Sequence, residues 1–410
     1  MESHREAGLK TFNELGLVGR EEIGLKVSIF TGSRITYFGG GERYAIDLGN
    51  ELVRRGFKVI VFTQWDDSNS NLPLSEIEKM CNFEIVRYNI LPFIRSPTVP
   101  VLNKMLFSKL KDTNIVYNMD DSLFTTFLLI LFSRLNHIRY ISGMHIPRSF
   151  MFGFEASTHP NLKSIWRIYK YFLRALYKGF IDNVHILNKE QMKDLDSLKY
   201  SGKTYFIPNY INDKREKVEV NKNDFVVLFT ANINIKIKGV DLLCDIIERT
   251  LLEGKDIKFE ITGQSGDGVD LVDRLVKKYP NNVFYLGFIS DKELKDLLRT
   301  ASLFILTSRF ESFSLSVLRA QAFGLPVVAF NITGPNEIII RDITGKLIEP
   351  YDTAKFSEAI LTYYHIWRKD VLLYSKIKED IQNFAYEKFG KEKTIKELIS
   401  MLTGETLTQD

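Results

Sequence analysis

The chain has few cysteines and no recognisable metal motif. Its two cysteines, Cys81 and Cys244, lie far apart in unlike sequence contexts. We therefore expect free buried thiols in a reducing compartment and no disulfide framework. Its two cysteines and six histidines show none of the spacings typical of metal sites, so we expect no bound metal.

Long apolar runs are also missing. The longest, residues 123–132, is interrupted by two threonines. A helix that crosses a bilayer needs about 20 apolar residues. Residues 1–25 mix charges throughout and have no apolar core of the signal-peptide type. These absences predict a soluble, cytoplasmic protein that could still sit on the inner face of a cell membrane.

The charge balance is not that of a strongly basic, nucleic-acid-binding protein. The 55 Lys and Arg residues against 51 Asp and Glu residues give a net charge of only +4. Charges this evenly spread do not predict nucleic-acid binding. The 410 residues, 45% hydrophobic and 26% charged, indicate a globular chain that is too long for one compact core.

Strand-like and helix-like segments alternate along both halves of the sequence. Apolar strands are predicted at 26–30 and 58–63, and a similar pattern restarts at 225–230 and 257–262. This alternation predicts an α/β fold, with two Rossmann-like doubly wound parallel-sheet domains and ligands in the crevice between them.

Composition changes suggest the domain boundaries. The stretch 205–212 contains Pro208 and polar turn residues and is predicted to be a linker. The predicted organisation is a lead-in (1–22), a first domain (23–210), a second domain (211–375) and C-terminal helices (376–410). The C-terminal helices are predicted to pack back toward the first domain.

Residues 303–340 carry the clearest functional signal. An apolar strand, Leu303–Leu306, leads into a small polar loop with one carboxylate, Glu311, and then into a predicted helix at 315–323 with Ser314 as its N-cap. Loop amides and a helix start at the carboxyl edge of a parallel sheet face any anion placed there. The segment predicts a phosphate-bearing ligand held beside one acid, although Glu311 could also be a surface carboxylate near a helix start.

A glycine-rich loop, residues 37–42, links the first strand to the first helix. Glycines tolerate positive φ and let backbone amides approach a ligand, but the loop could also be a simple tight turn. Its spacing is neither that of a dinucleotide fingerprint nor that of a phosphate loop. A dinucleotide-dependent dehydrogenase is therefore disfavoured.

Two basic side chains follow predicted strands. His145 ends a short strand, where it could donate to a sugar hydroxyl or a phosphate. Lys238 stands beside a helix start, which suits a phosphate. The alternatives are an ordinary loop histidine and a solvated lysine.

Taken together, these motifs resemble those of the family-four glycosyltransferases of the GT-B fold. The likeness covers roughly residues 25–390, and its C-terminal half is the more specific. The matching motifs are Gly39-Gly40-Gly41-Glu42-Arg43, Pro208-Asn209, Lys238-Gly239, Gly287-Phe288-Ile289, the block Ser308–Val328, Gly334-Pro335-Asn336-Glu337-Ile338 and Thr344-Gly345.

The resemblance implies both a fold and an activity. In that family the C-terminal domain binds a nucleotide-diphosphate sugar, the N-terminal domain binds the acceptor, and neither a metal nor another cofactor is needed. The reaction is glycosyl transfer with retention, usually drawn as front-face displacement. The expected partners are therefore a nucleotide sugar and a glycan or lipid-linked acceptor.

The resemblance also assigns site residues. Glu311 would bind the donor sugar's hydroxyls, Lys238 would neutralise the diphosphate, and His145 would contact the transferred sugar near its reacting carbon. The implied substrate-binding residues are Gly39 and Gly40 at the diphosphate, Phe288 and Ile289 at the base, Ser312, Phe313, Ser314 and Leu315 in the Glu311 loop, and Asn232 and Arg319.

Asn232 and Arg319 depart from the family pattern. Asn232 stands where an arginine is usual, and Arg319 stands where a second glutamate usually holds the ribose. One hypothesis is that Arg319 takes over part of the diphosphate clamp while ribose recognition is relaxed. The alternative is a solvent-facing Arg319 in a degraded site, which would suit a non-catalytic nucleotide-sugar-binding or partner subunit.

The acceptor side carries one further signal. Residues 164–181 interleave aromatic side chains with arginines and lysines. A basic, aromatic helix of this kind suits a membrane surface, and it would then favour a lipid-linked or cell-envelope acceptor. The alternative is a helix with one face in the protein core.

Overall fold

The computed structural model describes residues 24–65, 72–89, 104–119, 123–145 and 163–405. The predicted lead-in, 1–22, lies outside these residues. The chain divides into two compact units, residues 1–140 and 141–410. The domain boundaries predicted from composition stay a prediction.

The described elements alternate between strands and helices. The strands are β1 Lys26–Phe30, β2 Lys58–Gln64, β3 Glu84–Tyr88, β4 Ile115–Asn118, β5 Arg139–Met144, β6 Asn183–Ile186, β7 Lys203–Phe206, β8 Phe225–Thr230, β9 Ile257–Thr262, β10 Val283–Tyr285, β11 Leu303–Leu306, β12 Val327–Phe330 and β13 Gly345–Ile348. The helices are α1 Gly40–Arg54, α2 Leu74–Met80, α3 Lys104–Leu110, α4 Leu123–Leu135, α5 Lys163–Gly179, α6 Glu190–Ser197, α7 Ile235–Lys238, α8 Val240–Leu252, α9 Val269–Lys278, α10 Asp291–Thr300, α11 Leu315–Ala322, α12 Pro335–Ile338, α13 Thr353–Lys369, α14 Val371–Phe389 and α15 Lys391–Thr403.

The strands form two parallel sheets. Their orders are β3-β2-β1-β4-β5-β6-β7 and β10-β9-β8-β11-β12-β13. In each sheet the chain first builds outward in one direction and then crosses back to build on the other side, which is the doubly wound arrangement. The predicted fold class is therefore confirmed, and the predicted crevice between the domains stays a prediction.

The second sheet is buried on both faces. Along β8, Val227 and Phe229 face one apolar cluster while Leu228 faces another. Along β11, Ile305 faces the first cluster and Phe304 the second. Strands covered on both sides are apolar at every position, which explains why the sequence shows them as continuous hydrophobic runs.

Most predicted elements of the second half lie where the sequence places them. The bounds of β8, β9 and β11 are those predicted, and α11 ends one residue early, at Ala322. The predicted linker at 205–212 is wrong at its start, because β7 runs to Phe206 and pairs with β6. Turn residues suggested a linker there, and pairing with a neighbouring strand overrode them.

The glycine loop of the first unit differs from its prediction. Helix α1 begins at Gly40, with Gly39 as its N-cap at a φ of −80°. The positive φ belongs to Phe38, at 53°. A Cβ atom at position 39 would lie 2.9 Å from the carboxylate end of the Glu42 side chain, and the backbone at Gly39 is not left-handed.

The structure also bears on the predictions about cysteines, membrane-spanning helices and metal sites. Both cysteines are free, and they are half-buried where buried thiols were predicted. Burial raises the pKa of each thiol to about 12. None of the described helices combines the length and the apolar character needed to span a membrane. Across the described ranges, no group of three or more His, Cys, Asp or Glu side chains is placed to hold a metal ion.

A buried lysine joins the C-terminal helices to the second sheet. Lys378 on α14 is 1% exposed. Its ammonium donates to the carbonyl oxygens of Glu219 at 2.7 Å and Ala301 at 3.2 Å. Burial lowers the pKa of Lys378 to about 8, so at neutral pH the folded protein keeps a charge that water would solvate better.

This burial predicts a pH-dependent stability. Between about pH 8 and pH 10 the unfolded chain, with a lysine pKa of about 10.4, holds the proton more tightly than the folded chain. The Lys378 contribution to the free energy of unfolding therefore rises with pH in this window. Denaturant titrations should show that Lys378→Met lowers this slope by up to about 1.4 kcal/mol per pH unit.

The matched control is Lys355→Met, which replaces a lysine whose side chain is 67% exposed. Its slope between pH 8 and pH 10 should equal that of the wild type. Equal slopes in the wild type and in Lys378→Met would contradict the prediction.

Candidate active site

The predicted site residues of the second sheet lie at its point of reversal. The loops after β8 and β11 both leave the carboxyl edge, and these two strands are neighbours at which the chain changes its direction of winding. Open α/β sheets bind ligands at such positions. Lys238 ends the first loop, and Glu311 lies in the second.

Polar side chains brace the segment after β8. The Asn234 side chain accepts from the backbone amide of Ile237 at 2.8 Å, and Asp267, which follows β9, accepts from the backbone amide of Ile235 at 2.8 Å. Gly239 follows at a φ of 64°, and a Cβ atom there would lie 2.3 Å from the carbonyl oxygen of Thr307. The close approach of the two loops thus requires glycine at position 239.

Lys238 and Glu311 form an ion pair between the loops. The ammonium Nζ lies 2.6 Å from Glu311 Oε1, and the Ser308 hydroxyl donates to the same oxygen at 2.7 Å. The side chains of Lys238 and Glu311 are 23% and 11% exposed. Glu311 is therefore a shielded and oriented carboxylate, not the surface carboxylate of the alternative interpretation.

A second ion pair fixes the same loops from the side. The Arg309 guanidinium donates two bonds of 2.7 Å to the carboxylate of Asp241 and one of 2.6 Å to the carbonyl of Ile235. Hydrogen bonding to Arg309 lowers the pKa of Asp241. This two-pronged contact fixes orientation as well as distance.

The start of α11 presents unused amides beside Glu311. Within the described part of the chain, the backbone amides of Phe313, Ser314 and Leu315 have no protein acceptor. Ser314 occupies the N-cap position, as predicted, but its side chain caps no helical amide. Its φ of 81° is a left-handed value that costs a non-glycine residue roughly 1–2 kcal/mol.

Gly334 lets the next turn approach this loop. Its φ is 94°, and a Cβ atom there would lie 3.0 Å from Glu311 Cβ and 3.1 Å from the Phe313 nitrogen. Phe313 itself is buried and packs edge-on against Phe389, with ring centroids 5.9 Å apart. The Glu311 loop is thus enclosed on two sides, while Ser312 and Leu315 remain half-buried.

The remaining predicted donor residues border these loops. Phe288 is 45% exposed and follows β10, while Ile289 is half-buried. The Gly287 carbonyl accepts from Thr262 Oγ1 at 2.7 Å, which fixes the turn. Asn232 is half-buried in the loop after β8. Their predicted roles at the base and the diphosphate stay predictions.

His145 lies at the end of β5 beside a second histidine. The rings of His145 and His185 meet edge to face with centroids 5.7 Å apart, and His185 Nε2 lies 2.8 Å from the carbonyl oxygen of Ile207. Burial lowers the pKa of His185 to about 4, and burial and then His185 lower the pKa of His145. Both rings are therefore neutral at pH 7.

Arg319 has partners that the sequence did not suggest. Its guanidinium donates to Asp213 at 2.9 and 3.2 Å and lies 3.0 Å from an oxygen of Asp291, with Lys295 pairing to the same two carboxylates. The Arg319 side chain is 19% exposed, so the solvent-facing alternative is wrong. A place in the diphosphate clamp would require it to leave both carboxylates, and the structure gives that hypothesis no support.

Gly39 and Gly40, the predicted contacts from the first domain, begin α1 in the first unit. They follow β1, one of the two strands between which the first sheet reverses. This position suits a ligand by the same rule as above. Their approach to a diphosphate stays a prediction.

The sequence interpretation missed Asn188 and Gln191. Both are fully buried, Asn188 just before α6 and Gln191 in its first turn, and their side chains donate to the carbonyl oxygens of Ser312 and Met144. An amide residue followed three positions later by glutamine, directly after an apolar strand, is a capping signature that could have located them. Their distant partners have no sequence signal.

Comparison with known families agrees with this geometry. The sequence model of the family described as "Glycosyl transferases group 1" matches residues 211–387. The model described as "Glycosyltransferase Family 4" matches residues 38–215. Together the two matches span most of the chain. The chain belongs to the family-four type of glycosyltransferases with the GT-B fold.

Individual relatives are more distant. An uncharacterized 41.2 kDa protein in the cps region of Klebsiella pneumoniae is 29% identical over 184 residues, which cover 45% of this chain and 47% of that protein. The poly(glycerol-phosphate) alpha-glucosyltransferase of Bacillus subtilis is 26% identical over 234 residues, which cover 54% of this chain and 33% of that protein. The matched part thus spans about half or less of the length of these curated relatives.

Among solved structures, the Anabaena protein HepE in complex with UDP and glucose has the same fold. The TM-score is 0.70 and the sequence identity 17%, over 93% of this chain and all of that one. At this identity the likeness shows the fold alone.

The ion pairs of Arg319 predict a structural role for this residue. Arg319→Ala should lower the free energy of unfolding by roughly 2–4 kcal/mol, because Asp213 loses its main partner while Lys295 remains. Affinity for UDP, measured by calorimetry, should stay within about twofold of the wild-type value.

Arg299→Ala is the matched control, since Arg299 pairs with Glu216 near the surface, where their side chains are 37% and 38% exposed. It should cost less than about 1 kcal/mol. Unchanged stability of Arg319→Ala, together with a tenfold loss of UDP affinity, would instead support the hypothesis that Arg319 binds the diphosphate.

Proposed function

We propose that the chain catalyses the retaining transfer of a hexose-type sugar from a nucleotide-diphosphate sugar to a glycan, lipid-linked saccharide or other envelope acceptor. The observation that carries this proposal is the 2.6 Å pair of Lys238 and Glu311 beside three unused amides at the reversal point of the second sheet. This set joins a cation and amides for a diphosphate with a carboxylate for sugar hydroxyls.

The ion pair suggests how donor binding would proceed. In the free protein, Lys238 and Glu311 satisfy each other. A bound diphosphate would draw the Lys238 ammonium toward its two negative charges and receive bonds from the amides of Phe313, Ser314 and Leu315. Glu311, still held by Ser308, would then accept hydrogen bonds from the donor sugar.

The chemical step would use this electrostatic arrangement. The bond between the sugar's anomeric carbon and the phosphate oxygen breaks, and its electron pair leaves with the diphosphate. An acceptor oxygen forms a new bond to that carbon on the same face, and its proton passes to the departing phosphate oxygen. Fixed amides and an ammonium stabilise the charge that develops on the leaving group. His145, neutral at pH 7, would contact the sugar near the reacting carbon.

The names of similar proteins support the donor and the stereochemistry. One relative is named an alpha-glucosyltransferase of poly(glycerol-phosphate), and the HepE complex contains UDP and glucose. We therefore propose a UDP-hexose as the first donor to test, with retention of the α configuration. No metal is included in this proposal, since Lys238 and the amides supply the positive charge.

The proposal for the acceptor and its location starts from helix α5. In the described half of α5, Tyr171 and Phe172 are exposed while Leu173 and Tyr177 are buried. The helix thus has a core face and also exposed aromatic side chains that suit a membrane surface. We propose that 164–181 contacts the cytoplasmic face of a membrane carrying the acceptor; the side chains of 164–170 lie outside the described residues.

The rival function is a nucleotide-sugar-binding or partner subunit without turnover. Asn232 and Arg319 favour it, because they depart from the family pattern. The oriented Glu311 and its pairing with Lys238 oppose it, since a degraded site has no need to keep an ion pair shielded at this edge.

Replacement of the site carboxylate separates the two functions. The protein is given UDP-glucose, UDP-galactose, UDP-N-acetylglucosamine and GDP-mannose, and released nucleoside diphosphate is measured. Glu311→Gln should reduce turnover of the accepted donor by roughly tenfold to a hundredfold, because a charged hydrogen bond contributes about 1.5–3 kcal/mol.

Glu216→Gln is the control, because it replaces an ion-paired carboxylate that accepts its hydrogen bonds from Arg299 on α10. It should keep wild-type turnover. Binding of a donor without any turnover by the wild type would establish the rival function.

A further inference from the structure

Two buried amide side chains lie between the proposed catalytic residues. Asn188 and Gln191 occupy the turn from β6 into α6, and both are 0% exposed. The Asn188 Oδ1 accepts from the backbone N–H of Gln191 at 3.1 Å. The Gln191 Oε1 accepts from the backbone N–H groups of Leu187 at 2.6 Å and Asn188 at 3.2 Å. This reciprocal pattern is a capping box built from asparagine and glutamine.

The amide nitrogens of the same two side chains point elsewhere. Asn188 Nδ2 donates to the carbonyl oxygen of Ser312 at 2.5 Å, and Gln191 Nε2 donates to the carbonyl oxygen of Met144. Ser312 directly follows Glu311, and Met144 directly precedes His145. One turn therefore hydrogen-bonds to the backbone next to both residues.

A third bond extends the link. The amide of Lys189 donates to Glu337 Oε1 at 3.1 Å, and Glu337 belongs to the turn that follows Gly334 and closes over the Glu311 loop. Leu187 packs in the same apolar cluster as Phe313. The turn after β6 is thus attached to the Glu311 loop by polar and apolar contacts.

The identities of residues 188 and 191 show that these side chains do more than cap helix α6. Serine with glutamate caps a helix through the same oxygen acceptors, but neither side chain carries an amide nitrogen. Only the outward bonds to Ser312 and Met144 require asparagine and glutamine here. Burying two such amides is unfavourable unless every polar atom is paired, and here the nitrogens are paired with the two carbonyls that flank the site.

We infer that Asn188 and Gln191 are positioning residues that hold His145 and Glu311 in register for the transfer step. This inference rests on the proposed function. A displacement of about 1 Å in a reacting group can cost a hundredfold in rate, so loss of either outward bond should act on turnover more than on donor binding.

The test exploits the capping box. Asn188→Ser and Gln191→Glu each keep the oxygen acceptor and remove one outward bond. With the accepted donor, each should lower kcat by about tenfold or more while the donor KM stays within about twofold, assayed at a temperature at which circular dichroism shows each variant to be folded. Gln382→Met is the matched control, since it deletes an amide that donates to the carbonyls of Glu216 and Ala322, both at 2.9 Å, and it should keep wild-type kcat.

A second arm tests the route through His145. In a His145→Ala background, Gln191→Glu should lower kcat much less than it does in the wild type, because its outward bond acts on the backbone that carries His145. If Asn188→Ser and Gln191→Glu keep the kcat of Gln382→Met, or if the effects of Gln191→Glu and His145→Ala simply multiply, the inference is overturned while the proposed function stands. If the wild type turns over none of the donors, the proposed function fails and this inference fails with it.

Discussion

The ion pair between Lys238 and Glu311 is the contact on which the rest of the site depends. Two loops from neighbouring strands approach closely enough to join an ammonium and a carboxylate at 2.6 Å. That approach is possible because Gly239 leaves room for the Thr307 carbonyl and Gly334 leaves room for Glu311 itself. Ser308 and the Arg309–Asp241 pair then hold both loops in place. A buried pair of this kind contributes little net stability, so we interpret it as a preorganised site whose partners can be exchanged for a ligand.

The arrangement separates recognition from support. In the proposed function, Lys238, Glu311 and the amides at the start of α11 face the ligand. Asp241 holds Arg309, Ser308 holds Glu311, and Gly334 leaves room for the Glu311 loop. The left-handed Ser314 belongs to the first set, since its conformation is held by its surroundings and sets the direction of its amide. Strain of this kind at a loop that also carries unused amides is consistent with a functional constraint. The turn at Asn188 extends the same support to the strand that ends at His145.

Much of the fold could be predicted from the sequence, because its signals are local. Strands such as β8 and β11 are buried on both faces, so all of their residues except Thr230 are apolar and the run is easy to recognise. Lys238 and Glu311 lie in the segments that follow these strands, which places them at the sheet edge. What could not be predicted depends on partners far away along the chain. Arg319 binds Asp213, 106 positions earlier, and Asn188 binds Ser312, 124 positions later. No local pattern encodes either contact, and the strand β7 was missed because its pairing with β6 overrides residues that favour a turn.

The central claim is that the loops after β8 and β11 bind the diphosphate of a nucleotide sugar. A crystal structure of the protein with UDP tests this most directly. The account predicts phosphate oxygens within hydrogen-bond distance of the amides of Phe313 to Leu315 and of Lys238 Nζ, with Glu311 released from Lys238 but still bound by Ser308. UDP bound elsewhere, with the Lys238–Glu311 pair intact, would contradict it.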